Sequence, residues 1–402
     1  MNLNFAFTLV IFLLSESVYA QENAPWKRHT IDNTSLGSDG SKLADVNGDG
    51  RMDLIVGWEE GGVSRLYINP KEPREFWEYI EVPSPDVEDA FAVDLDGDGF
   101  MDLVTLSEGK HQRITIHWAP ADWVSYYHSE QWVSQDIPVT VGRTRWMFGR
   151  PYDMDGKNGI DLVVGSKNPN GTLGWLEAPE NPRNMETWKY HEITPAGWIM
   201  SIELLDMDRD GLEDILISDR YGELRGVRWI KNPGHGKDLR GLWGNHFIGV
   251  QDGEPMFLTL ADIPEWTSDG VPGIVVPDLV KGWEIFYREE GRWVNESMAY
   301  PAFSGTRGKS VAVADMNQNG SWDLVASYEG ALDKSGVLSV DGFLEKTPSY
   351  TDISGNAGVK YDFIVLIDID GDGDLDVLTC EETGEDGSKE GLGVIWYENP
   401  LK

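Results

Sequence analysis

Aspartate recurs along this chain in a fixed frame. The stretch from Asp368 to Asp376 reads Asp-Ile-Asp-Gly-Asp-Gly-Asp-Leu-Asp, with Asp368, Asp370, Asp372 and Asp376 at positions 1, 3, 5 and 9. The same frame holds Asp45, Asn47, Asp49 and Asp53; Asp94, Asp96, Asp98 and Asp102; Asp206, Asp208, Asp210 and Asp214; and Asp315, Asn317, Asn319 and Asp323. A weaker copy keeps Asp153, Asp155 and Asp161 but has Lys157 at position 5, and another survives only as Asp262. Oxygen ligands at alternate positions around a glycine turn are the chemistry of a hard cation, and calcium is the natural occupant, at about five or six structural sites. The fit to an EF-hand is poor, because position 12 of the first copy is Val56 where that loop needs a bidentate glutamate. An Asp/Gly turn that needs no ion is the plain alternative for any one copy; five complete copies favour metal. In the weaker copy Lys157 is a candidate to replace the cation.

The loops recur about every fifty-five residues, the mark of an array of supersecondary units. In each unit a short apolar strand precedes the loop (Phe91 to Val93) and another follows it (Leu103 to Leu106), both mainly apolar, as strands buried on two faces are. A third ends at a proline turn (Ile114 to Pro120) and a fourth opens on tryptophan (Trp132 to Ile137). Four antiparallel strands seven times over predict an all-β, seven-bladed β-propeller. The chain stops after Pro400 without a last fourth strand, while Trp26-Lys-Arg-His-Thr-Ile31 matches Trp188-Lys-Tyr-His-Glu-Ile193. The amino-terminal strand is therefore expected to complete the last blade and close the ring, leaving no free sheet edge.

Phe5 to Leu14 is an apolar run followed by a small-residue cleavage position after Ala20, so a signal peptide over 1–20 and a single propeller over 21–402 are expected. The run is too short to span a membrane. An exported protein, periplasmic or extracellular and monomeric, follows. Its lone cysteine, Cys380, cannot form an internal bridge, which leaves the core and bound ions to hold the fold. The net charge of -36 argues against nucleic-acid binding.

The loops and blade grammar resemble the FG-GAP or VCBS type of repeat found in secreted bacterial propellers and the integrin head. That resemblance covers essentially the whole mature chain and implies seven blades with calcium between the first and second strands of each; it implies little about activity.

The end of the blades away from the acidic loops carries a second set of residues. After the second strands come Glu59, Glu60, Glu108, Lys110, His111, Lys167, Arg220, Tyr221, Glu329, Glu381 and Glu382, with the bases at blades three and four. The segments entering each blade add Arg143, Arg145, Trp146, Arg150, Tyr152, Trp198, Met200, Arg307, Lys309, Lys360 and Tyr361. In a chain with 69 acids and 33 bases, cations gathered on one face suit an anionic ligand. The plain reading is charge balance, with Glu203 and Glu254 as partners for the arginines, packing roles for Trp146 and Trp198, and a locally bonded His117. Arg, His and Tyr together are also the kit for β-elimination from a uronic acid: cations neutralise the carboxylate, and His111, Tyr152 or Tyr221 moves protons. Arg143, Arg145, Trp146, Arg150, Lys167, Trp198, Arg220, Arg307, Lys309 and Lys360 would then bind the substrate. Secreted propellers that degrade ulvan, lyases and an oligosaccharide dehydratase, look similar in scaffold and export. The expectation is an eliminase on an anionic, ulvan-like saccharide, with a non-catalytic propeller binding carbohydrate or protein as the alternative and a calcium-dependent hydrolase as a third.

Overall fold

The computed structural model describes residues 24–267, 270–382 and 391–402; the apolar run and the cleavage position after Ala20 lie outside the described residues. Unit two shows the plan. Val87–Val93, Asp102–Ser107, Arg113–Trp118 and Val133–Asp136 pair antiparallel in sequence order. Units one to five each form one such four-stranded sheet, and unit five keeps it although only Asp262 remains of its acidic frame. The strands of units six and seven share an eight-stranded sheet, joined through the single pair Glu329↔Lys360. Its last strand is Lys27–Asp32, antiparallel to Gly393–Glu398, with Lys27 opposite Glu398 and His29 opposite Trp396.

This pairing explains the likeness between the two tryptophan-led segments. His29 stacks on Trp396 at 4.3 Å with Nε2 2.6 Å from Glu398, and His191 packs on Trp175 at 4.8 Å with Nε2 2.7 Å from Glu177. The two segments share Trp, Lys, His and Ile, and each meets the third strand of its own sheet, Gly393–Glu398 or Thr172–Glu177.

Second strands such as Asp53–Trp58 and Asp102–Ser107 are buried along their whole length. Their continuous apolar runs are what a strand packed between two neighbouring sheets requires. Phe91, Val104 and Leu106 of unit two meet Trp146, Leu162 and Val164 of unit three in one such layer; each fully buried side chain there contributes roughly 1.5–3 kcal/mol.

The ninth-position aspartate ties each loop to its sheet. Asp102 Oδ2 accepts from Leu95 N at 3.1 Å and Oδ1 from Ala119 N at 2.8 Å. Asp53, Asp161, Asp214, Asp323 and Asp376 repeat the arrangement. The sixth-position glycine has φ near +90° in Gly99 and donates its N–H back to Asp94 at 2.9 Å, a conformation that side chains disfavour.

First strands begin earlier than the apolar pattern predicts. Arg145, Trp146, Arg150 and Tyr152, expected in an entering loop, lie on Arg145–Tyr152; Arg307 and Lys309 lie on Arg307–Ala314, and Lys360 on Lys360–Ile367. The cause is a register shift in the first strand of every unit except the fifth, between Val87 and Asp89 or Trp146 and Gly149, for example. A bulge breaks the two-residue alternation and re-aims a side chain, so periodicity hides the strand.

Candidate functional site

Those bulges build a funnel. The residue six places before each first loop aspartate (five in unit five) is Asp39, Glu88, Met147, Met200, Phe257, Lys309 and Asp362; the residue six places after each ninth-position aspartate is Glu59, Glu108, Lys167, Arg220, Glu329 and Glu382, with Leu279 in the corresponding place of unit five. All but Asp362 and Leu279 line one cavity of about 390 Å³, joined by Phe148, Trp198, Arg307 and Lys360. Beneath it the channel narrows to about 10 Å³ between Lys42, Asp89, Arg150, Glu203 and Phe363. Phe257 lies edge-on to Phe148 at 5.5 Å and to Phe363 at 5.4 Å, forming the constriction.

The five funnel cations are each paired with a carboxylate. Lys167 meets Glu108 and, at 3.2 Å, Glu88; Arg220 meets Glu254 at 3.0 Å; Arg307 meets Glu329 at 2.5 Å; Lys309 meets Asp362 at 3.4 Å; and Lys360 meets Glu382 at 2.8 Å. Acids crowd units one, two and seven. Burial holds Glu88 well above the usual carboxylate range; Lys167 opposes that rise, and Glu108 and Glu59 add to it. Burial also raises Asp39 well above its ordinary value, helped by Asp362, and pushes Glu382 up to about 7. Against the cost of its own burial, Asp362 is held down to about 2 by Lys309 and by the hydrogen bond it accepts from Asp39. Unit five contributes only apolar Phe257 to the cavity, between Arg220 of unit four and Arg307 of unit six.

Residues 45–105 match the family of the FG-GAP-like repeat. No curated protein matches the chain. Two crystal structures of BBS1N in complex with ARL6DN, one soaked with mercury and one with lead, are similar at TM-scores of 0.54 and 0.53 and at 12% and 13% identity, covering 94% of this chain and 98% and 96% of theirs. At such identities the likeness concerns fold alone. The fold is β-propeller-like. No helix among the described residues of this propeller is long and apolar enough to cross a membrane.

The propeller brings six of the expected ligand-binding residues together: Lys167, Trp198, Arg220, Arg307, Lys309 and Lys360. Trp198 is half-buried, with Lys167 Nζ 4.2 Å and the Arg220 guanidinium 4.6 Å from its ring, and it braces the two cations. Trp146 is wholly buried, donates to Thr140 O at 3.1 Å and packs in the core. Arg150 lies below the constriction, paired with Glu203 at 3.0 Å. Arg143 covers Tyr190 at 4.1 Å and Arg145 is exposed at the head of its strand; neither lines the funnel.

The three expected catalytic residues do not converge. Tyr152 faces Asp161 at the loop end of a strand whose other end pairs Arg145 with Lys167, roughly 20 Å away at the rise of a strand. His111 is held by Asp86 at 2.7 Å outside the funnel lining, and Tyr221 flanks the rim against Trp198 at 5.5 Å. His117 is buried between Thr105 and Ser134, and burial pushes it down to about 3. Sequence reasoning missed Asp39, Glu88, Met147, Phe148, Phe257 and Asp362. For Asp39, Glu88, Met147 and Asp362 the constant six-residue offset from the loop aspartate was the signal; Phe148 and Phe257 lie five residues before theirs.

At the loop end, carboxylate oxygens of Asp94, Asp96 and Asp102, of Asp153, Asp155 and Asp161, and of Asp206, Asp208 and Asp210 lie within 4.8 Å of one another. All-oxygen donor sets of this kind fit a hard divalent cation. Lys157 does not enter its loop: its side chain is 64% exposed and pairs with Asp155 Oδ2 at 3.3 Å from outside.

Beside the loops, hydrogen bonds from Arg240 and Arg74 hold Glu177 and Glu398 down to about 2. A lowered carboxylate stabilises the fold fully above its unfolded value of about 4.3, and that contribution is lost as the pH falls toward 2. In melting experiments across that window, Glu177→Gln is expected to flatten the acid limb; a limb identical to wild type would remove Glu177 from it.

Proposed function

We propose that the chain is an exported, seven-bladed propeller, closed by its amino-terminal strand and braced by calcium in its acidic loops, whose funnel binds an acid-bearing saccharide without eliminating it. Closure is supported by the pairing of Lys27–Asp32 with Gly393–Glu398 and by Arg74 of unit one, which pairs with Asp370 and Glu398 of unit seven. When bound, calcium would supply the cross-linking charge that the carboxylates of each loop call for.

The observation that carries the binding reading is the convergence of the two rings on one cavity of about 390 Å³, within the range of roughly 300–1,000 Å³ of small-molecule sites. Arg220 and Arg307 flank the uncharged sector of unit five; each guanidinium has five donors, more than its glutamate partner uses, and can fork onto a carboxylate or sulfate. Met200 and Phe257 offer an apolar surface to a sugar ring, and the acids of units one, two and seven accept from hydroxyls. Elimination needs a base and an acid at one ligand, and none of His111, Tyr152 and Tyr221 lines the cavity. A protein partner is the second reading, favoured by Trp123, Val124 and Tyr127, which are 41%, 78% and 40% exposed on unit two.

Calorimetric titration with uronic-acid oligosaccharides tests the first reading. Arg220→Ala and Arg307→Ala are each expected to weaken binding by about tenfold or more, the worth of a charged hydrogen bond, with no growth of unsaturated-uronate absorbance. Such growth would restore the eliminase, and an absence of binding across the series would shift the case to a protein partner.

A further inference from the structure

Among the described residues, three arginines reach from one unit to a carboxylate in the acidic loop of the unit before it. Arg183 of unit three places Nε 2.5 Å from Asp96 Oδ2 and its guanidinium 4.7 Å from the Trp118 ring. Arg240 of unit four places Nη2 2.5 Å from Asp155 Oδ2 and Nε 2.7 Å from Glu177. Arg74 of unit one pairs with Asp370 and places Nη2 2.9 Å from Glu398. All three leave the connection between a third and a fourth strand. In each case the target is the third-position carboxylate, so these contacts belong to the repeat.

What the arginine leaves open is as informative as what it binds. The Asp155 side chain is only 3% exposed, and its Oδ1 has no hydrogen-bond partner. Its carboxylate stands with those of Asp153 and Asp161, their ligand atoms within 4.8 Å of one another. A buried aspartate with one oxygen clamped by a guanidinium and the other unpartnered among carboxylates has the form of a metal ligand oriented by an outer partner.

We propose that Arg183, Arg240 and Arg74 are positioning residues that orient the third-position aspartates of loops two, three and seven for a divalent cation, so that each of these ion sites is completed by the neighbouring unit. The inference rests on the calcium reading above. Loop three then takes an ion despite Lys157, which sits outside it. Ion binding is coupled to the contact between units, because the arginine that orients the ligand also spans the seam. The competing role has the opposite sign: a guanidinium that stood in for the ion would weaken calcium binding, and its removal would strengthen it.

The test counts calcium bound by chelator-stripped full-length protein re-equilibrated at limiting free calcium. Arg240→Met and Arg183→Met should each bind one ion fewer than wild type, with the affinity of the affected site falling about tenfold or more, and Arg240→Lys should recover part of the loss. Loop six, with no basic partner among the described residues, is the internal control. Unchanged or tighter calcium binding in both methionine variants overturns the inference and leaves the calcium reading standing; a wild type that binds no calcium overturns both. Should Arg240→Met fail to fold, Arg183→Met carries the test, its arginine being 41% exposed.

Discussion

Stripping the protein of calcium is expected to lower its melting temperature by on the order of 15 °C. Five loops, beginning at Asp45, Asp94, Asp206, Asp315 and Asp368, keep an oxygen ligand at all four positions. An ion present at a hundred times its dissociation constant stabilises the native state by about 2.7 kcal/mol, and for a chain of this length each kcal/mol moves the midpoint by a little over about 1 °C. Electrostatics points the same way: burial, with Asp96 adding to the rise, pushes Asp102 up to about 7, and burial pushes Asp161 and Asp376 there as well. Two backbone donors relieve only part of that cost, and a dication in the loop would relieve more. Calorimetric scans with and without chelator decide it. Coincident transitions would mean that the loops are turns held by their own hydrogen bonds.

Asp219→Ala is expected to cost about 3–5 kcal/mol and to abolish ligand binding in the funnel. Asp219 and Arg228 form an ion pair with both side chains at 0% exposure, Nη2 to Oδ2 2.7 Å. Burial raises Asp219 and lowers Arg228 in spite of the pairing, so the ion pair is a net burden on its surroundings and losing one member strands the other. Asp219 also accepts from Gly197 N at 3.0 Å and Trp198 N at 2.8 Å, fixing the segment whose tryptophan braces Lys167 and Arg220. The double variant Asp219→Leu, Arg228→Met separates the two effects. It should regain most of the stability, since an apolar pair can replace a buried ionic one, and remain defective in binding because Trp198 is still unanchored. Asp219→Ala at wild-type stability would show that the Trp198 segment is held by other contacts.

Much of this architecture was legible in local sequence. The nine-residue acidic frame specifies a turn through its own backbone contacts, as when Asp94 accepts from Gly97 and Gly99, and mainly apolar runs such as Leu103 to Leu106, bounded by those turns, read as doubly buried strands. Repetition of both, together with the kinship of Trp26–Ile31 and Trp188–Ile193, established an all-β array and placed the first strand against the last. These are properties of residues close in the chain or of its periodicity, and both survive without knowledge of the fold.

Tertiary structure decided the rest. Trp146 was a substrate-binding candidate beside Arg145, but the register shift between Trp146 and Gly149 turns it into the core. Tyr152 and Lys167 are close in sequence but separated by the length of a strand, whereas Lys167 and Glu88, 79 residues apart, touch. The arginines on the loops lie further still from their targets, Arg183 at 87 residues from Asp96. Sequence alone determined the repeat, the acidic loops and the strands, because these follow from side chains a few residues apart. Which charges meet in the funnel and which arginine reaches which loop was decided only by the packing of one sheet on the next, since bulge and seam set side-chain direction at positions whose local pattern is silent.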